Sequence, residues 1–141
     1  LFRQTMFAEF ELRIHEVIEE GGALTADRFD ELYRDLKADF YEPAVVDDRI
    51  AREWMRIPHF YYGYYVYQYS TGISAATAIV ERIREEGETA AADYREALRL
   101  GGSAYPLEVL ETAGVDMRTA DPIEDALGVY GTYLDEMATL L

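Results

Sequence analysis

Six phenols fall within nine residues, at Tyr61, Tyr62, Tyr64, Tyr65, Tyr67 and Tyr69, out of 12 tyrosines in the chain. The only tryptophan, Trp54, and one of two histidines, His59, come just before them. A helix meant only to fill a core would bury leucine or isoleucine equally well, with no hydroxyls to satisfy. Residue type and spacing therefore read as a substrate-facing wall. The alternative is an aromatic core plug whose hydroxyls are satisfied locally, with His59 an ordinary helix-start histidine.

Three other constellations are weaker. In His15-Glu16-Val17-Ile18-Glu19 the spacing suits a zinc helix, but His-Glu-x-x-His needs a second imidazole where Glu19 stands. With only His15 and His59 available, no metal ligand is assigned in this chain, and the segment reads as a solvated helix face. Glu9, Glu11, Glu16, Glu19 and Glu20 cluster on the same helix, and carboxylate pairs do acid–base work only when burial separates their pKa values. Solvation is the expectation for all five. Gly101-Gly102-Ser103 follows a helix rather than a strand, so it is no phosphate loop. It reads as a helix terminator, or as a flexible loop touching substrate backbone through Gly101 and Gly102.

The elements that must position these residues are all helical. Phe2, Met6, Phe10, Ile14 and Val17 recur at helical spacing over 1–20, and Gly21-Gly22 ends that helix. Thr25 caps a second helix through about Tyr41, with Pro43 as its stop. Asp47 or Asp48 caps a short turn reaching Met55, and Pro58 biases Ile57 away from helical geometry. The next helix is expected over 60–86, about 40 Å long at 1.5 Å per residue. On it Tyr64 and Tyr67 share a face with Phe60, Tyr61 shares one with Tyr65, and Tyr62 shares one with Tyr69. Small residues over 72–78 would let a neighbour approach, and the charged end, Glu81 to Glu86, reads as solvated. Further helices are expected over 88–100, 106–113 and from Asp121-Pro122 onward. The fold class is all-α, a single domain of about seven helices over 1–141.

Composition limits the partners. There are 28 acids against 13 bases, a net charge of −15, which repels phosphate and argues against nucleic acid. No apolar run approaches the roughly 20 residues a membrane helix needs. Lys37 is the single lysine among the 13 bases, so the acidic surface reads as one kept soluble in high salt. The alternative is an ordinary acidic cytosolic protein. Zero cysteines exclude disulfides and fit a cytoplasmic protein. There is no initiator Met, and the opening residues look cut from something longer.

Ile57-Pro58-His59-Phe60-Tyr61-Tyr62, followed by Tyr64-Tyr65-Val66-Tyr67-Gln68-Tyr69-Ser70-Thr71-Gly72, closely resembles the C-terminal region of oligoendopeptidase F, of the thimet-oligopeptidase-like zinc metallopeptidases. The likeness extends to Phe2-Arg3-Gln4-Thr5-Met6-Phe7-Ala8-Glu9-Phe10-Glu11, to 101–108 and to 113–117. It implies a helical shell around a deep channel, hydrolysis of oligopeptides, and zinc held by a His-Glu-x-x-His and a further glutamate that precede this region. It also implies that this chain is a C-terminal fragment whose partners are the N-terminal remainder of the peptidase and the peptide substrate. In that family a histidine and tyrosines of this region face the metal and donate to the developing oxyanion. His59 matches the histidine, and Tyr65 and Tyr67 best match the tyrosines, with Tyr64 also open. Tyr61, Tyr62 and Tyr64 would contact the peptide.

Two readings compete with this one. A non-catalytic helical module would use the tyrosines as a protein interface. A carboxylate-bridged metal protein would need paired Glu-x-x-His, and neither histidine has a glutamate three residues before it.

Overall fold

The apolar spacing of the first twenty residues produces one helix, α1 (Phe2–Glu19). It ends where Gly22 donates to the Val17 carbonyl and Gly21 to that of Ile18, the two-bond glycine stop. Both glycines are needed. Gly21 takes φ 81°, and a Cβ at Gly22 would stand 2.7 Å from the Val17 carbonyl oxygen. Thr25 caps α2 (Ala26–Tyr41) by accepting the Arg28 N–H at 3.2 Å. Asp47 Oδ1 accepts the N–H groups of Arg49 and Ile50, both at 3.0 Å, and so opens a 3₁₀ helix (Ile50–Arg56). A second 3₁₀ helix (Pro58–Tyr61) follows, and then α3 (Tyr67–Glu86), α4 (Glu88–Leu100), α5 (Pro106–Thr112) and α6 (Asp121–Leu140). This computed structural model describes residues 1–141, and its fold is all-α.

The chain divides into two compact units, 1–70 and 71–141. The first unit is built on an aromatic core. Met6, Phe7, Phe10 and Ile14 of α1 meet Leu32, Tyr33 and Leu36 of α2, and Ile57 and Val66 close the cluster. Phe10 lies edge-on to Tyr33 with centroids 5.0 Å apart, and Phe60 packs at 5.2 Å from Phe10 and 5.6 Å from Phe7. Trp54 stacks on Phe29 at 4.5 Å and donates its indole N–H to Asp30 at 2.8 Å. That donor, aided by Arg52, holds the Asp30 carboxyl below its ordinary range against the opposing effect of burial.

One buried carboxylate ties three elements of this unit together. Glu53, on the first 3₁₀ helix, accepts from Tyr33 and Lys37 of α2, both at 2.8 Å, from Arg3 of α1 at 2.7 Å and from Arg56 at 2.6 Å. Burial alone would raise its pKa, but the hydrogen bonds from Lys37 and Tyr33 and the nearby charges outweigh it and bring the pKa down to about 2. Tyr33 shifts upward, through burial first and its hydrogen bond to Glu53 second. The only lysine of the chain is therefore a core residue, and every surface cation is an arginine.

In the second unit Arg82 is the tie. Its guanidinium donates to the Ala113 carbonyl at 2.8 Å, to Asp93 at 2.7 Å and to Glu86 at 3.0 Å. The charged end of α3 is thus only partly solvated, contrary to the sequence expectation. Gly114, at φ 80°, lies so close to Arg82 that a Cβ there would fall 2.1 Å from its guanidinium. The small-residue segment is likewise mixed. Ser74 and Ala75 are buried, while a Cβ at Gly72 would meet nothing within 4 Å. No helix is long and apolar enough to cross a membrane.

Candidate active site

The helix expected over 60–86 begins at Tyr67 instead. Ile57 is extended (φ −91°, ψ 103°), as a residue before proline should be, and is buried. Pro58 then opens a single 3₁₀ turn that carries His59 and swings Phe60 inward. Val66, fully buried, is the next anchor. Between these two plugs the chain bulges outward over 61–65, and four of those five residues are tyrosine. The phenols are exposed because the segment is a loop, not because they wrap a helix. The face assignments made for a continuous helix therefore do not hold.

The loop turns at Gly63 and Tyr64, both left-handed, with φ 51° and 52°. Glycine accepts this geometry freely, whereas a tyrosine there needs outside support. Support comes from α1. Glu11 Oε1 accepts the Tyr64 N–H at 2.5 Å, and the His15 ring lies 4.3 Å from the Tyr64 ring. The His15 Nδ1 is in turn 2.7 Å from the Glu11 carbonyl oxygen. Glu11 is 1% exposed, so the expectation that all five carboxylates on α1 are solvated fails for it, and His15 leaves the solvated face to cover Tyr64, while Glu16, Ile18 and Glu19 remain exposed. The sequence held a signal: Glu11 follows Phe7 by four residues and precedes Ile14 by three, placing it on the buried stripe.

His59 sits inside a ring cluster. Tyr65 stacks nearly parallel to it at 5.8 Å and 7°, and Tyr69 meets it edge-on at 5.2 Å. The Tyr69 hydroxyl is 3.1 Å from His59 Nε2. Tyr65 and Tyr69 contact each other at 5.8 Å, as do Tyr62 and Tyr65. Hydrogen bonding to Tyr65, followed by partial burial, raises the Tyr69 pKa; partial burial and the charges of Glu19, Glu11 and Glu16 raise that of Tyr64. Both phenols remain protonated donors across the neutral range. Tyr69, which the helical reading placed on one face with Tyr62, is the hydrogen-bond partner of His59. Tyr67 stands at the start of α3 and is half exposed, and Tyr61 and Tyr62 point outward.

Gly101 and Gly102 lie in the second unit, after α4. Gly101 (φ 53°) donates to the Leu98 carbonyl, and Ser103 caps Leu100 through both its N–H and its hydroxyl, so the terminator reading holds locally. A recess of about 790 Å³ also lies in the second unit, lined by Glu81, Glu85, Asp116, Asp121, Glu124 and Asp125 among others. No group of three or more histidine, cysteine or acidic side chains is arranged to hold a metal ion.

Comparison with known proteins places the chain. The sequence pattern described as peptidase family M3 matches residues 1–129. The chain belongs to that family. It is 49% identical over its whole length to the oligopeptidase PepF of Bacillus subtilis, covering 21% of that protein. It is 42% identical to the chromosomal oligoendopeptidase F of Lactococcus lactis, again over its whole length and covering 24% of that protein. The crystal structure of oligoendopeptidase-F from Enterococcus faecium superposes with a TM-score of 0.94 at 48% identity, over 99% of this chain and 27% of that one. The chain thus spans between a fifth and a quarter of the curated relatives' length.

Proposed function

We propose that this chain is the C-terminal, substrate-binding and oxyanion-stabilising part of a zinc-dependent oligoendopeptidase that cleaves short peptides. The observation that carries the reading is the cluster of His59, Tyr65 and Tyr69 beside a loop pinned at both ends by buried side chains. Such donors cost little reorganisation when a peptide carbonyl oxygen takes on negative charge. One of them typically contributes 10²–10³ in rate, or about 3 kcal/mol. His59, Tyr65 and Tyr67 are the donors in this reading. Tyr61, Tyr62 and Tyr64 pack against the peptide, and the exposed Gly101 and Gly102 offer backbone to it. The metal is held by residues outside this chain, so the isolated chain neither binds zinc tightly nor cleaves peptides. A surface free of lysine and a charge of −15 support a cytoplasmic enzyme of a salt-adapted cell.

The test is made in the peptidase that carries this segment. His59→Ala, Tyr65→Phe and Tyr67→Phe should each lower kcat strongly with KM little changed and zinc content intact. Wild-type turnover in all three refutes the catalytic reading. Wild-type turnover combined with weakened association with another protein would instead establish the loop as an interface.

A further inference from the structure

We propose that Glu11 is a positioning residue for the tyrosine loop. This inference rests on the oxyanion reading above. A carboxylate 1% exposed among Phe7, Phe10 and Ile14 is an anomaly unless it is partnered. Its partner is a backbone amide 53 residues away, the N–H of Tyr64. Tyr64 is the only residue other than glycine with a positive φ, and it follows a glycine in the same region. A bulky residue persists there only when its surroundings over-determine it. Here α1 supplies two constraints from adjacent turns: Glu11 holds the main chain of Tyr64, and His15 covers its ring. The residue that leaves this turn is Tyr65, whose ring stacks on His59. The Glu11 carboxylate thus fixes where the chain exits the turn, and with it the relation of Tyr65 to His59. Glu11 touches no reacting atom in this scheme and acts through Tyr64 alone.

The experiment uses the zinc-loaded peptidase that carries this segment, with four variants and His59→Ala as reference. Glu11→Ala removes the acceptor, whereas Glu11→Gln keeps a carbonyl oxygen in its place. Gly63→Ala strains the same turn from outside, since its Cβ meets nothing within 4 Å but its backbone sits at φ 51°. Gly63→Asn tolerates that backbone. Displacement of about 1 Å near a reacting group can cost about 10²-fold. Glu11→Ala and Gly63→Ala should therefore each lower kcat at least about tenfold with KM nearly unchanged. Glu11→Gln and Gly63→Asn should restore most of it. Should Glu11→Ala fail to fold, the Gly63 pair decides alone. Wild-type kcat in Gly63→Ala and in folded Glu11→Ala, with His59→Ala crippled, overturns the inference and spares the site. Glu11→Gln as impaired as Glu11→Ala also overturns it, because the acceptor would then not be the cause. Wild-type kcat in His59→Ala removes the reading on which the inference stands.

Discussion

Replacing Glu53 by glutamine should cost the 141-residue chain about 3 kcal/mol, and the structure says where that energy resides. The Glu53 carboxyl falls from an ordinary 4.5 to about 2 on folding. At 1.36 kcal/mol per pKa unit this is about 3 kcal/mol of stability at neutral pH. The four donors are unequal. Arg3 and Arg56 keep 48% and 72% of their side-chain exposure and can turn to water when the carboxylate is neutralised. Lys37 keeps 7% and cannot. The penalty is thus mainly the orphaned Lys37 ammonium, in line with about 3–5 kcal/mol for breaking one side of a buried pair. Lys37→Met should therefore rescue Glu53→Gln, and the double variant should recover more than half of the loss. Urea denaturation of wild type, both single variants and the double variant closes the cycle. The folded pKa lies below the unfolded one, so this stability is complete above about pH 4.5 and is lost as pH falls toward 2. A loss under about 1 kcal/mol in Glu53→Gln, or strictly additive single variants, would refute the reasoning.

Two further outcomes follow from the geometry. Tyr69→Phe removes the hydroxyl 3.1 Å from His59 Nε2, so in the full peptidase kcat should fall while KM and zinc content stay nearly constant; an unchanged kcat would show that this hydrogen bond does not orient the imidazole. With surface cations that are all arginine and a charge of −15, the thermal midpoint should climb from low to molar KCl more than in sucrose matched on a neutral control protein, and a flat midpoint retires salt adaptation.

Much of this arrangement was legible before any coordinates. Periodicity and caps located α1, α2, α4 and α5 to within a residue or two, because each carries its own stop, at Gly21-Gly22, Pro43, Gly101 and Gly114, and Asp121-Pro122 marked the start of α6. That His59 lies near Tyr65 was legible from residue type, whereas its contact with Tyr69 was not. What escaped was anything set by contacts distant in sequence. Glu11 reads as one of five acids until Tyr64 arrives above it. Arg82 reads as a solvated charge until the Ala113 carbonyl reaches it.

The misplaced start of α3 has a more instructive cause, and it was open to calculation. Val66 is the only aliphatic side chain between Phe60 and Ile73. Phe60 and Val66 both pack into the core of the first unit. At 3.6 residues per turn, six residues advance a helix by about 600°, which leaves the two side chains about 120° apart. A continuous helix could bury one and would aim the other well off the core. The conflict is resolved by breaking the helix between them, with Pro58 at one side and the left-handed pair Gly63-Tyr64 within. Burial of Val66 thus forces the loop, and the loop exposes the phenols. A polar residue at position 66 should then release the constraint. Val66→Thr, close in shape but carrying a hydroxyl with no core partner, should destabilise the first unit by about 1–3 kcal/mol. It should also loosen the tyrosine loop, read as faster amide exchange at Tyr64 and Tyr65 than the global loss of stability predicts. Exchange at those two amides that tracks global stability alone would mean that the loop is held by α1 and not by its own anchor.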